Sequence, residues 1–387
     1  MGLLWKASAV IAALIGIILA VPYRELDWDA VIIPMAQNYA ESSKDSAKPL
    51  SDKIVLVTGA TSGIGLALTR ALSKMGAQVV ALGRNPKKLA SLKEEIPSVR
   101  TFKIDMGDLE SVSKASDQLL QAFPTIDILI NNAGMHDGGG NIFGSPPNPQ
   151  GFDFVFTVNY LSHFLLTEKL ATALANSTRP VVLQTSSSYH WAVDGSDLIP
   201  DESTGSPPVA SQPGGSHGFY IFRSQRSYAN SKLAQIYHAR SLQERHPALI
   251  TSKARIVSFC PGWVGTSIGG TNTIESFLIN NFGFPMEGWG IASPLLAMFE
   301  IDRPDEDYYI NTLAFKSIEF LFANLPAWAY RSGIRDVMAN VLANFGLVVQ
   351  RIMPVAGYPG KSSPESYSFA NRNALYDWSQ AAVAEWL

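Results

Sequence analysis

The sequence predicts an α/β protein whose main domain is a doubly wound parallel sheet, and three observations carry that expectation. First, Ile54 to Val57 is a short apolar, β-branched run, the pattern of a strand buried on both faces. Second, Gly59, Gly63 and Gly65 follow at a G-x-x-x-G-x-G spacing. A helical pattern begins directly after them, with Leu66, Leu68, Ala71, Leu72 and Met75 apolar. Third, further apolar runs follow, separated by helical patterns, and strands alternating with helices at this pace build a parallel sheet.

Composition narrows the function classes. The 387 residues suffice for one large α/β domain with additions, or two small domains. Hydrophobic residues make up 47% and charged residues 16%, which is apolar for a soluble enzyme and points toward membrane contact. A net charge of −3 argues against nucleic-acid binding driven by bulk electrostatics. The single cysteine, Cys260, excludes an intramolecular disulfide framework and a cysteine zinc site. The six histidines are scattered without an H-E-x-x-H pattern, so no structural metal is expected. There is no internal repeat.

From the amino terminus, Leu3 to Pro22 is apolar apart from Lys6, and Arg24, Glu25, Asp27 and Asp29 follow. The uncharged stretch from Ala7 to Tyr23 is just short of the roughly 20 residues that cross a bilayer. A cleaved signal peptide would need small residues before a cut site, and Ile18 to Pro22 fits that poorly. A core-packed helix would show a polar face. A membrane anchor is therefore the expectation, with these two as its rivals. Glu41 to Lys53 is polar and reads as linker.

The glycine turn then presents no side chains where a backbone must approach a phosphate, and the helix N-terminus beyond it can face an anion. Ala77 to Leu82 is the second strand and ends at Gly83-Arg84-Asn85. An acid at this point would hold ribose hydroxyls and favour NAD. Arg84 stands there instead, with Lys87 and Lys88 behind it, and a planar guanidinium can clamp a 2′-phosphate. The expected cofactor is NADP(H), against the plainer reading of a solvated basic turn.

Val99 to Ile104 is the third strand, ending at Asp105, and a helix carries Leu109, Val112, Ala115 and Leu119. Ile126 to Ile130 is the fourth, ending Asn131-Asn132-Ala133-Gly134, with a glycine- and proline-rich surface loop beyond. Phe152 to Leu174 is a long helical stretch containing Asn159. Val181 to Gln184 is the fifth strand, followed by Thr185-Ser186-Ser187-Ser188. Ser196 to Gly218, rich in Ser, Pro and Gly, is expected as a mobile insertion. The next helix carries Tyr228-Ala229-Asn230-Ser231-Lys232, and Arg255 to Phe259 is the sixth strand, ending Cys260-Pro261-Gly262-Trp263-Val264-Gly265-Thr266.

These pieces resemble the short-chain dehydrogenase/reductase family. The matches are Thr58-Gly59-Ala60-Thr61-Ser62-Gly63-Ile64-Gly65, Asn131-Asn132-Ala133-Gly134, Asn159, Ser187, Tyr228-x-x-x-Lys232 and Pro261-Gly262-x-Val264-x-Thr266. They stand in family order over about residues 51 to 312, plus a last helix near the C-terminus. Asn131 to Met135, Val158 to Thr167 and Tyr228 to Ala234 look closest to the retinol dehydrogenase-like group. The resemblance implies a Rossmann domain. It implies cofactor contacts at Gly59, Thr61, Ser62, Gly63, Ile64, Gly65, Arg84, Asn131, Ala133, Gly134, Tyr228 and Lys232. It places Asp105 near the adenine and Pro261, Gly262, Val264 and Thr266 around the nicotinamide. It gives Asn159 a water that links Lys232 to solvent; the alternative is a helix-interior amide satisfied by its neighbours.

The chemistry of the residues agrees with the resemblance. Hydride transfer to a carbonyl leaves an alkoxide that needs a proton, and a free tyrosine, with a pKa of about 10, exchanges protons poorly at neutral pH. A lysine ammonium four residues on, on the same helix face, stabilises the phenolate. Tyr228 is the one tyrosine in the chain with a lysine at that spacing, Lys232. Ser187 lies just past a strand's carboxyl end, where ligands gather in such sheets, and can hydrogen-bond the substrate carbonyl. Ser186 and Ser188 are neighbours, and the family register favours Ser187, with His190 lying where the group often has histidine.

Two departures bear on substrate. The segment between Ser187 and Tyr228 is long for the group and borders the mouth of the site, and Lys316 to Lys361 is an insertion after the last parallel strand near Tyr308 to Leu313. Ile334, Val337, Val341, Leu342 and Phe345 in that insertion follow a helical stripe, suited to packing on the core or to a membrane interface. The expected organisation is an N-terminal anchor at 1–25, a linker at 26–50, and the domain at 51–387 with a substrate-loop insertion at 190–227 and a helical insertion at 316–361. The expected function is NADP-dependent interconversion of a lipophilic alcohol and its aldehyde or ketone, with Tyr228, Lys232, Ser187 and Asn159 catalytic and lipid and the small substrate as partners. A homodimer is one candidate assembly, and the endoplasmic reticulum or lipid droplet a candidate membrane. A pigment or enone reductase resembling protochlorophyllide reductases, and a catalytically silent NADP-binding scaffold, are the rival functions.

Overall fold

The computed structural model describes residues 28–40, 48–136, 146–201, 203–204, 206–213, 223–262, 264, 289–300, 307–310 and 358–387. The proposed anchor Leu3 to Pro22, nearly all of the insertion 316–361, and Thr266 lie outside the described residues. Among the described residues no helix is long and apolar enough to cross a membrane.

Among the described residues one eight-stranded sheet runs in the order β3-β2-β1-β4-β5-β6-β7-β8. Its strands are β1 (Ile54–Thr58), β2 (Gln78–Gly83), β3 (Arg100–Lys103), β4 (Ile128–Asn131), β5 (Val181–Thr185), β6 (Arg255–Cys260), β7 (Tyr308–Ile310) and β8 (Tyr358–Pro359). β1 to β7 pair in parallel, and β8 adds an antiparallel edge through Tyr309↔Pro359 and Ile310↔Tyr358. The first six expected strands are present within a residue or two of their foreseen ends; the seventh is present as Tyr308–Ile310, and the rest of its expected stretch, 311–313, lies outside the described residues. β8 was not foreseen, because two residues carry too little pattern to read.

The strand period of two divides the core into two faces. Leu56, Val80, Leu82, Leu129, Val182 and Ile256 point to one side. Val55, Val57, Val79, Ala81, Ile128, Ile130, Leu183 and Val257 point to the other. The first side is covered by α4 (Leu109–Ala122), α5 (Ser162–Ala175), α6 (Arg223–Arg245), α7 (Pro247–Thr251) and α9 (Phe369–Val383). The second is covered by α1 (Ile33–Ala40), α2 (Gly63–Lys74), α3 (Pro86–Glu95) and α8 (Ala292–Phe299). The buried positions of α4, Leu109, Val112, Ala115, Ser116 and Leu119, recur at helical spacing, as the sequence pattern requires.

Two expectations of loose structure are corrected. Within the stretch read as linker, Trp28–Ile32 and α1 are helical and packed. Ile32 and Ala36 are buried, Tyr39 meets Phe299 with ring centroids 5.7 Å apart, and its hydroxyl donates to the Arg179 carbonyl at 2.9 Å. The described part of the insertion at 196–218 folds into the turns Ser196–Leu198 and Val209–Ser211. Buried Asp197 pins it to α6 by accepting from Arg226 Nε and Asn230 Nδ2, both at 2.8 Å.

Candidate active site

The carboxyl ends of β1, β2, β4, β5 and β6 open into one cleft of about 1060 Å³. Its position is the crevice where ligands bind in open α/β sheets.

At the end of β1, Gly59 takes φ 67°, a left-handed conformation that a side chain disfavours. Gly65, expected among the cofactor contacts, does not line the cleft. It is required for packing: a Cβ there would stand 2.4 Å from the Gly59 carbonyl oxygen and 2.5 Å from Asn132 Nδ2. Thr61, Ser62, Gly63 and Ile64 line the wall, and Gly63 and Ile64 open α2, so that helix N-terminus borders the cleft.

Beyond β2 the wall is basic. Arg84, Lys87 and Lys88 are exposed and line the cleft, with no carboxylate among their immediate neighbours in the turn. Asn85 shapes it by capping α3, its Oδ1 accepting from Lys87 N at 2.9 Å and Lys88 N at 3.3 Å, with Pro86 in the first helical turn. Ile104, Asp105, Met106, Gly107 and Phe154 line a further recess of the cleft, with Asp105 Oδ1 accepting from Gly107 N at 3.0 Å.

The Asn131-Asn132-Ala133-Gly134 segment is split in role. Asn131, expected to border the cofactor, is fully buried behind the wall, its Nδ2 donating to Thr167 Oγ1 at 2.9 Å. Asn132, which the sequence reading passed over, lines the cleft with Ala133 and Gly134 and donates to the Thr58 carbonyl at 2.8 Å. The strand's period of two turns the first asparagine inward and leaves the second at the opening. Thr58 Oγ1 accepts from the backbone N–H of Asn132 at 2.8 Å and of Ala133 at 2.9 Å, so this loop and the glycine turn form one frame.

The long helical stretch is not uniform. Phe154–Phe156 is α-helical, Thr157–Leu161 is a π-turn, and α5 continues it. Asn159 sits in the π-turn, a feature frequent at functional sites. Its amide is fully engaged: Oδ1 accepts from Met135 N at 2.8 Å, and Nδ2 donates to the Met135 carbonyl and to Ser231 Oγ, each at 2.9 Å. Asn159 therefore does not line the cleft, and it ties the Gly134–Met135 loop to α6.

Tyr228, Lys232 and Ser187 are brought together at the inner end. Ser187 is extended, caps the 3-10 turn Ser188–Ala192, and hydrogen-bonds the Tyr228 side chain. The neighbouring serines are committed elsewhere: Ser186 Oγ donates to the Lys232 carbonyl at 2.9 Å, and Ser188 N donates to Cys260 Sγ at 3.2 Å. Lys232 is buried, with Nζ donating to the Thr185 carbonyl at 2.8 Å and to Gln235 Oε1 at 3.0 Å. Burial holds its pKa down to about 7. Burial pushes the Tyr228 phenol up, and the Ser187 hydrogen bond pulls it back down. The Tyr228 ring is bracketed by two aromatics the sequence reading did not foresee, His136 at 4.9 Å and Tyr189 at 5.9 Å, both edge-on. Neither lies in a motif, so no sequence signal pointed to them. Pro261, Gly262 and Val264 close the far wall.

The comparisons agree with this geometry. The family model described as short chain dehydrogenase matches residues 53–192. A protein of Streptomyces sp. (strain C5), provisionally named daunorubicin C-13 ketoreductase, is 31% identical over 240 residues, which is 60% of this chain and 74% of that one. Retinol dehydrogenase 14 of Mus musculus is 29% identical over 237 residues, covering 56% of this chain and 63% of its own length. A solved short chain dehydrogenase from Salmonella enterica has a TM-score of 0.51 at 22% identity, covering 69% of this chain and 98% of that one, a likeness of fold. Shared order of strands, turn and motifs, with a relative matched over 74% of its length, settles the family: the chain belongs to the short-chain dehydrogenases and is an oxidoreductase of that family.

Proposed function

We propose that the protein is an NADP(H)-dependent reductase or dehydrogenase of a lipophilic alcohol–carbonyl pair. The observation that carries this reading is the Ser187–Tyr228–Lys232 cluster at the inner end of a cleft whose outer end is the basic turn of Arg84, Lys87 and Lys88. The residues present suit the dinucleotide. The α2 N-terminus and side-chain-free glycine turn suit its pyrophosphate, the recess between Asp105 and Phe154 its adenine, and the cationic turn its 2′-phosphate. When bound, NADPH supplies the hydride.

The protein supplies the rest. Ser187 Oγ orients the carbonyl oxygen, and Tyr228 Oη donates the proton that the developing alkoxide needs. Lys232, buried and held by Thr185 and Gln235, places a cation beside the phenol and makes its ionised form accessible. In the oxidative direction the same tyrosine accepts the alcohol proton. Asn159 holds Met135 and Ser231, and through Ser231, whose Oγ donates to the Tyr228 carbonyl at 2.7 Å, it fixes the helix that presents the tyrosine. A lipophilic substrate is favoured by the aromatic lining of His136, Tyr189 and Tyr228 at the inner end of the cleft. The relatives' names, a ketoreductase and a retinol dehydrogenase, point to carbonyl–alcohol pairs of this kind. The apolar segment Leu3 to Pro22 tethers the enzyme to a membrane, the source of such substrates.

The test is NADPH oxidation against a panel of retinoid, polycyclic and long-chain carbonyls, with NADH in parallel. Turnover of at least one lipophilic carbonyl with NADPH preferred is expected. Tight NADPH binding with no turnover on any carbonyl would overturn the reading in favour of a silent scaffold. For the tether, full-length protein is expected to stay with membranes through high salt and carbonate; release by those washes would refute it.

A further inference from the structure

We propose that His190 is a positioning residue that couples the C-terminal turn Pro364–Tyr367 to Ser187, and so sets where the catalytic hydroxyl stands. The proposal rests on the role given to Ser187 above. Ser187 and Tyr228 stand on different elements, one in the loop after β5 and the other on α6, and a small misplacement between two such groups costs rate steeply. Something must hold the Ser187 backbone in register with α6.

His190 is fully buried, and its two ring nitrogens face in opposite directions along the chain. Nδ1 lies 2.6 Å from the Ser187 carbonyl oxygen, and Nε2 lies 3.0 Å from the backbone N–H of Ser363. A carbonyl can only accept and a backbone N–H can only donate. The neutral tautomer with its proton on Nδ1 satisfies both, donating to Ser187 and accepting from Ser363. The ring is held edge-on against Tyr308 at 5.3 Å.

The far end of this link is anchored to the same helix that carries Tyr228 and Lys232. Arg240, further along α6, donates to Ser366 Oγ at 2.7 Å and Ser362 Oγ at 2.9 Å. Its guanidinium also holds Asp307, at the start of β7, at 2.5 and 3.1 Å. Tyr237 Oη donates to the Glu365 carbonyl at 3.1 Å, and Gly360 N donates to the Tyr308 carbonyl at 2.9 Å. The turn is thus fixed to α6 on one side and, through a single imidazole, to the Ser187 carbonyl on the other. The C-terminal segment adds a second tie between the Ser187 loop and α6, beside the hydrogen bonds from Ser186 to the Lys232 carbonyl and from Lys232 to the Thr185 carbonyl.

Two variants cut the link at different points. In His190→Gln the longer side chain keeps an acceptor near Ser363 N and loses the donor to Ser187. Ser363→Pro removes the N–H and sets the ring Cδ in its place against His190 Nε2, so it breaks the link from the side of the turn; Ser363 has φ −58°, which proline adopts, and among the described residues its own hydroxyl has no hydrogen-bond partner. Each is expected to lower kcat at least tenfold on a carbonyl substrate while KM and the NADPH dissociation constant stay within about twofold. His190→Asn, which keeps a donor at the Nδ1 position but has no acceptor for Ser363 N, cuts the link as Ser363→Pro does and is expected to lower kcat to the same extent. In a Ser187→Ala background neither change should cost anything further, since the link then has nothing to position. If Ser187→Ala itself keeps wild-type turnover, the reading of Ser187 fails. If Ser187→Ala is impaired but Ser363→Pro and His190→Gln keep wild-type kcat, or multiply the Ser187→Ala loss, the coupling is wrong. Should His190→Gln fail to fold, Ser363→Pro decides the question by the same criteria.

Discussion

Lys232 Nζ stands 5.3 Å from the centre of the Tyr228 ring, one helical turn along the same helix. Its other contacts, Thr185 and Gln235, are neutral acceptors that leave its charge uncompensated. Burial alone disfavours ionising either group, raising the phenol and lowering the ammonium. A phenolate beside an ammonium removes much of that penalty, which is the physical reason for the pair.

Tyr228→Phe keeps the ring packed between His136 and Tyr189 and removes only the hydroxyl. Turnover is expected to fall by about 10²–10⁴, with NADPH binding and melting temperature retained. Steady-state kinetics with a fluorescence titration of NADPH checks both. Near wild-type turnover would reject Tyr228 as the acid–base group.

Arg84→Ala removes the guanidinium at the outer end of the cleft. A charged contact to a phosphate is worth about 1.5–3 kcal/mol, or roughly ten- to a hundredfold in affinity. NADPH affinity is expected to fall by that factor and NADH affinity to stay unchanged. Equal losses for both nucleotides, measured by calorimetry, would place the arginine's role in folding.

Acid should destabilise the protein before its carboxylates titrate. His163 and His238 are fully buried, and burial holds their pKa values down to about 4 and about 3. His163 bridges the Thr58 hydroxyl at 2.9 Å and the Asn159 carbonyl at 3.0 Å as a neutral ring. The unfolded chain takes up these protons near pH 6.5, so it binds more protons than the native state below that pH. The stability from each depressed histidine is complete above pH 6.5 and is lost as pH falls toward the folded value. For His163 the loss is about 3 kcal/mol by pH 4. Urea unfolding from pH 7.5 to 4.5 should show this decline, shallower in His163→Gln. A flat profile in the wild type would contradict it.

The sheet was legible because each central strand is a short run of Val, Ile and Leu ending at a motif, and burial on both faces leaves that pattern little freedom. The Tyr228–Lys232 pair was legible for a similar reason: helical spacing by itself puts the two side chains on one face. The finer assignments depended on which way a side chain turns. Asn131 and Asn132 are the same residue type in adjacent positions, and only the strand's pleat sends one inward and one to the cleft. Asn159 carries no mark in the sequence of the π-turn that directs its amide to Met135 and Ser231. His136 and His190 owe their places to tertiary contact, the second to Ser363, a residue far away in the chain. The packing of α1 was missed because Tyr39 and Ala36 make too short an apolar stripe to stand out from a polar linker.

The most direct test follows the hydride itself. The full-length protein is incubated with NADPH carrying deuterium at both hydrogen positions of nicotinamide C4 and with a carbonyl substrate found in the panel, and the product is analysed by mass spectrometry and NMR. The account predicts one deuterium on the carbinol carbon, delivered by the wild type and reduced at least a hundredfold in rate by Tyr228→Phe. Deuterium on the β-carbon of a saturated carbonyl product would contradict it by marking an enone reductase, and product formed without deuterium would exclude hydride transfer from NADPH.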